Sequence, residues 1–194
     1  MSRIPPTPRH ELNAEQQKVH DHFAAFTSRA YGANGEKFTY QDERGAFIGG
    51  FPLYVQHPRI ALAHNQLAVA VNRIAIPERV RNTVTLAVAG HFQAASEMSS
   101  QGKRYAKNGI LTDSEAQALM AGNKPESLTG SCSASVALDV TTHLLSISGR
   151  LPDELWDSCI EAVGEDAFFG LLHSLAFYAW LCVGVNALDV PVPA

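Results

Sequence analysis

Apolar positions follow helical rather than alternating spacing along most of the chain, and strict period-two patterning is almost absent. Helices are therefore the expected elements. Asn13 with Gln16 three residues later makes a capping-box pattern and opens a helix to about Arg29. Tyr31-Gly-Ala-Asn-Gly35 stops it. Residues 31–57 hold five glycines and no sustained period. Phe38, Tyr40, Phe47, Phe51 and Tyr54 are too apolar for a free linker, so this stretch predicts a long ordered loop, a kind of segment that is usually functional. Pro58 suits a first helical turn, and Ile60 to Arg73 predicts the next helix. Pro77 repeats that signal before a long helix from Glu78 to Asn108, with Gly109 as its left-handed stop. Gly90 and Ser99 to Gly102 are its weak points. Thr112 with Glu115 is a second capping box, opening a short helix closed by Gly122. Further helices are expected over Ser131 to Ser148, Pro152 to Val163 and Asp166 to about Leu188. The expected fold is all-α, one domain over residues 1–194.

The last helix changes the picture in one respect. Ala167 to Val185 is 19 residues without a formal charge, near the ~20 that span a bilayer. His173, Ser174, Tyr178 and two glycines interrupt it, and no basic flank follows. A buried central helix in a protein that does not cross the membrane is the expectation.

Composition narrows the classes of function. With 46% hydrophobic residues in 194, there is apolar material for a sizeable core, which excludes extensive disorder. Fifteen basic against 19 acidic residues give a formal charge of −4. A nucleic-acid binder needs a basic face, so none is expected. Cys132, Cys159 and Cys182 have neither disulfide nor zinc spacing. No secretory signal opens the sequence, so a cytoplasmic setting is expected.

The segment from Val80 to Gln101 resembles the signature helix of the carboxymuconolactone decarboxylase and alkylhydroperoxidase D-like superfamily. In that family an Arg-Glu pair opens the helix, an apolar stretch leads to His-Phe-x-Ala-x-x-Glu, and a His follows four residues later. Arg81, His91, Phe92, Ala94 and Glu97 match. Gly45-Ala-Phe47 to Pro58 and the turn from Gly109 to Glu115 agree as well, so the likeness spans roughly residues 45–185. Three departures bear on chemistry. The family's acid after the Arg is Asn82, and the trailing His is Gln101. The peroxidatic CxxC positions are Ala94 and Glu97, and thiol chemistry needs a thiolate there. The resemblance implies a helical fold that forms trimers or hexamers.

At about 100° per residue, Ala94, Glu97 and Gln101 share one stripe, with Met98 beside them and His91 one turn earlier. A carboxylate desolvated there would approach the pKa that a general acid or base requires. Without the resemblance, Glu97 reads as a solvated residue or a partner of Arg81 or Lys103; with it, a pocket position is the better reading. For His91, functional and structural readings stand level. Asn82 and Gln101 are candidate hydrogen-bond donors to substrate. Met98, His64, Tyr54 and His57 are candidate lining residues. His20, His22, His143 and His173 have no metal-ligand spacing, so a metal-free, cofactor-free site is expected.

The leading expectation is a cofactor-independent enzyme of carbonyl or enol chemistry, a decarboxylase-like lyase or an isomerase or cyclase. Its substrate would be a small to medium acidic or phenolic metabolite. Glu97 and His91 would exchange protons, and loop 31–57 would cover the pocket. A non-catalytic binding or scaffold protein is the alternative, and a hydroperoxidase ranks last.

Overall fold

The computed structural model describes residues 2–31, 39–107, 109–147 and 149–192. The fold is all-α: among the described residues, a 3-10 turn at Arg9–Glu11 is followed by nine helices. These are α1 Ala14–Tyr31, α2 Phe51–Gln56, α3 Pro58–Arg73, α4 Glu78–His91, α5 Ala95–Lys107, α6 Asp113–Met120, α7 Ser133–Ser146, α8 Asp153–Val163 and α9 Glu165–Ala187. Within the single domain expected from sequence, contacts group into two compact units. One is Met1–Val69 with Gly184–Ala194; the other is Ala70–Val183.

The first unit begins where the capping signal places it. The Asn13 side chain accepts from the Gln16 N–H at 3.0 Å, and the Gln16 side chain accepts from the Asn13 N–H at 3.1 Å. Val19, Phe23 and Thr27 then bury one face of α1 at four-residue spacing. The Phe23 ring meets Phe47, Phe51 and Tyr54. This aromatic cluster orders the segment read as a loop. Asp42 Oδ1 accepts the N–H groups of Arg44 and Ala46 in a tight turn, and Gln41 bridges to Phe47. The segment also contains a helix, α2, that the sequence reading did not place. Residues 32–38 of the expected loop lie outside the described residues.

The second unit is built around α4, from which α5, α6 and α7 are each reached by direct packing. Every residue from Asn82 to Gly90 is buried. Gly90 lets α4 approach α6: a Cβ there would meet the Leu119 carbonyl oxygen at 2.5 Å. Arg81 fastens the end of α3, donating to the carbonyls of Val71 and Ile74 at 3.1 and 2.6 Å. The reading that made α9 the buried central helix is corrected here. That role belongs to α4, while α9 leaves Phe169, Trp180 and Val183 exposed. Helix α9 is long and apolar enough to cross a membrane by length and composition, with 44% of its most apolar window buried.

Candidate active site on helix α5

The site depends on where α4 stops. One continuous helix was expected from Glu78 to Asn108, but the chain turns at Phe92 to Ala94 and restarts. Gln93 adopts a left-handed conformation, with φ of 49°. The Gln93 N–H donates to Gly90 O at 3.1 Å, and the Ala94 N–H to Ala89 O at 3.0 Å. This is the Schellman termination, with glutamine where glycine is usual. The Gln93 side-chain amide returns to Gly90 O at 2.6 Å, which supports the uncommon backbone. Buried Ala94 then accepts the Met98 N–H at 2.8 Å and opens α5. The break makes Glu97 the third residue of a new helix and leaves His91 in the last turn of the old one.

Glu97 and Gln101 share one face of α5, one turn apart, as their spacing requires. Gln101 Nε2 donates to Glu97 Oε2 at 3.4 Å, a long bond. Burial pushes the Glu97 carboxyl above the ordinary glutamate range, and this single amide contact only partly offsets it. Gln101 Oε1 is buried without a hydrogen-bond partner. On α4, Asn82 is buried to 2% exposure and its Nδ2 is likewise without a partner. Unsatisfied buried polar atoms are uncommon and call for an explanation such as a catalytic role or an unseen bound molecule. The ion-pair alternatives for Glu97 do not include Arg81, whose guanidinium is engaged with Val71 and Ile74. The side chain of Lys103 lies outside the described residues.

The remaining candidates separate by place. His91 is exposed, its ring edge-on to Phe92 at 5.1 Å. Met98 points about 100° around α5 from Glu97. It lines a shallow, open groove of about 550 Å³ with Ser99, Gly102, Gln117, Met120 and Ala121. Tyr54, His57 and His64 belong to the first unit. There Tyr54 and His64 come together, ring centroids 4.9 Å apart, and burial lowers His64 to about 4. His57 is exposed at the C-terminal cap of α2.

Two features escaped the sequence reading. Cys182, on α9, lies near enough to Glu97 to feel its charge: burial first, then that carboxylate, push the thiol up to about 12. No spacing signal could have joined residues 85 positions apart. Glu115 was read only as a capping-box residue, which it is, but it also receives Ser127 Oγ at 2.5 Å and the Arg79 guanidinium. Cys159 is buried and raised to about 11, and Cys132 is exposed at the start of α7. Among the described residues, no three His, Cys, Asp or Glu side chains gather closely enough to hold a metal ion.

The sequence matches no protein-family profile and no curated protein. Its fold, however, is similar to solved structures of the debrominase Bmp8. The apo form superposes with a TM-score of 0.69 at 13% identity, over 98% of this chain and 92% of the other. An alanine variant of one Bmp8 cysteine, in complex with 2,3,4-tribromopyrrole, gives 0.68 at 14% identity, over 98% and 91%. At such identities the likeness is one of fold, and it extends over nearly the whole chain.

Proposed function

We propose that the chain is a divergent member of the carboxymuconolactone decarboxylase and alkylhydroperoxidase D-like superfamily, and an enzyme of carbonyl or enol chemistry on a small acidic or phenolic molecule. The observation that carries this is Glu97, a carboxyl held protonated more readily than usual by burial and restrained by one long hydrogen bond. A proton on a desolvated carboxyl is available to an enolate, and the same group can take it back. Gln101 positions Glu97, and its second amide atom, without a partner, remains available to substrate. The orphaned Asn82 amide is suited to donate to developing oxyanion charge, a contribution that needs no redox centre. His91 is exposed on α4, so Glu97 rather than His91 is taken as the acid at the reacting atom.

The fold likeness to Bmp8 supports small-molecule chemistry, and a ring the size of the pyrrole bound there sets the scale of substrate to try first. Thiol chemistry is a poor fit here. Burial holds Cys159 and Cys182 as thiols, whereas nucleophilic attack requires the thiolate.

The test is hydrogen exchange. The protein is incubated in D2O with a panel of enolisable and phenolic ring acids, and carbon-bound deuterium or loss of CO2 is read by mass spectrometry. The reading expects label or decarboxylation with at least one acid, abolished in Glu97→Gln. Saturable binding without exchange or turnover would establish the non-catalytic alternative instead.

A further inference from the structure

Gln101 carries two opposite hydrogen-bonding groups on one flat amide, and their surroundings differ. Nε2 donates to Glu97 Oε2 at 3.4 Å, while Oε1 is buried with no partner. A buried acceptor is costly to leave unpaired. This is the amide beside an ionised Glu97, since a carboxylate can only accept. A protonated Glu97 changes the match, because its O–H is a donor and needs an acceptor. Oε1 becomes that acceptor once the amide turns over about its terminal torsion, a roughly two-fold rotation that leaves the outline of the side chain unchanged. Nε2 then stands where Oε1 stood.

We propose that the Gln101 amide inverts with the proton on Glu97, so that the site offers an N–H to an enolate or phenolate oxygen only while Glu97 holds a proton. This rests on the reading of Glu97 as the acid at the reacting atom. In the loaded state the Glu97 O–H donates to Oε1, and Nε2 faces the anionic substrate oxygen. On reaction, the O–H turns from Oε1 to the enolate carbon. The Glu97 O–H bond breaks and its electron pair stays on the carboxylate. The C=C pair forms the new C–H bond, and an oxygen lone pair restores the C=O. Nε2 then returns to the carboxylate, leaving Oε1 against the product carbonyl, acceptor facing acceptor. Hydrogen bonds to an ionised oxygen are roughly twice as strong as neutral ones. The loaded site therefore prefers the enolate, and the spent site no longer offers the ketone a donor.

The surrounding groups leave this exchange to one proton. On the helices packed against α5, Arg79 and Glu115 pair with each other, and Arg81 is engaged with Val71 and Ile74 at the end of α3. Cys182 on α9 is the buried titratable neighbour that feels the Glu97 charge, and its thiol, pushed up to about 12, stays neutral near neutrality.

Nuclear Overhauser contacts of the Gln101 side-chain amide in the full ¹⁵N-labelled chain test this without a substrate. The amide is assigned by its loss in Gln101→Met. Contacts from the Nε2 protons to the Glu97 methylene groups are expected above the Glu97 midpoint and lost below it. This pH dependence should vanish in Glu97→Gln. Contacts that persist unchanged through the Glu97 transition would overturn the proposal. Inversion at an ordinary glutamate midpoint would support the amide switch while removing Glu97 as an acid near neutrality. The ligand probe is 2,4-dinitrophenolate, an anionic oxygen across this range. Its affinity, read by calorimetry, should fall about tenfold per pH unit above the Glu97 midpoint, as one linked proton requires. Below the midpoint Gln101→Met should bind it roughly tenfold or more weakly than the wild type, for want of a donor to the charged oxygen. No saturable binding, or equal affinity of the two proteins below the midpoint, would also overturn the proposal.

Discussion

Glu97 and Glu115 are each the third residue of a helix, on α5 and α6 in turn, and they have opposite proton affinities. Burial disfavours ionisation of both. At Glu115 it is overcome by the Ser127 hydroxyl, the Thr112 N–H and the Arg79 guanidinium, which hold the carboxyl down at about 2. At Glu97 one amide at 3.4 Å is set against burial, and burial wins. Secondary structure therefore does not decide the role of either residue; the number and charge of hydrogen-bond donors does. The surroundings hold Glu115 as an anion and let Glu97 keep its proton more readily.

The largest effect that could break this contrast is on rate. Glu97→Gln preserves shape but cannot accept a proton, and should lower turnover by ~10²–10⁴-fold while leaving the melting temperature near that of the wild type. Glu115→Ala should do the reverse. It removes a capping box and the partner of Arg79, and should cost about 3 kcal/mol, the low end for a broken buried pair because Arg79 is partly exposed. Chemical denaturation measures this, and catalysis per folded molecule should persist. Gly90→Ala, which drives a Cβ into the Leu119 carbonyl, should destabilise by about 2 kcal/mol.

Acid titration of stability sharpens the contrast further. The folded pKa of Glu115 is depressed, so its contribution is present above the unfolded value of ~4.3 and is lost as pH falls toward about 2. The folded pKa of Glu97 is raised, so its contribution is present below the unfolded value and is lost as pH rises through the folded one. Glu115→Gln should flatten the acid limb of a stability-versus-pH curve, and Glu97→Gln the limb above it. The smallest effect is expected at the thiols: with all three cysteines replaced by Ser or Ala, turnover should change by less than about twofold in folded protein.

Much of the fold was legible because its signals are local. Asn13 with Gln16 and Thr112 with Glu115 form the reciprocal caps that their spacing predicts, and Pro58 and Pro77 mark the helix starts. The break between α4 and α5 was not legible at its true position. Glycine usually announces a left-handed stop, and here Gln93 takes that conformation with its own side chain as support. The pairing of Glu97 with Gln101 followed from helical spacing. The exposure of His91 did not, because it depends on the chain turning two residues later. Cys182 beside Glu97 and Ser127 on Glu115 are tertiary neighbours, and only packing brings them together.

The most direct test of the contrast is the titration of the two carboxyls themselves. In protein labelled with carboxyl-¹³C glutamate, resonances assigned by Glu97→Gln and Glu115→Gln can be followed across the acid and neutral range. The account predicts that the Glu97 signal titrates clearly above the ordinary glutamate value of ~4.3, while the Glu115 signal stays ionised to near 2. A Glu97 carboxyl titrating at or below the ordinary value would contradict the account and remove Glu97 as the proton carrier.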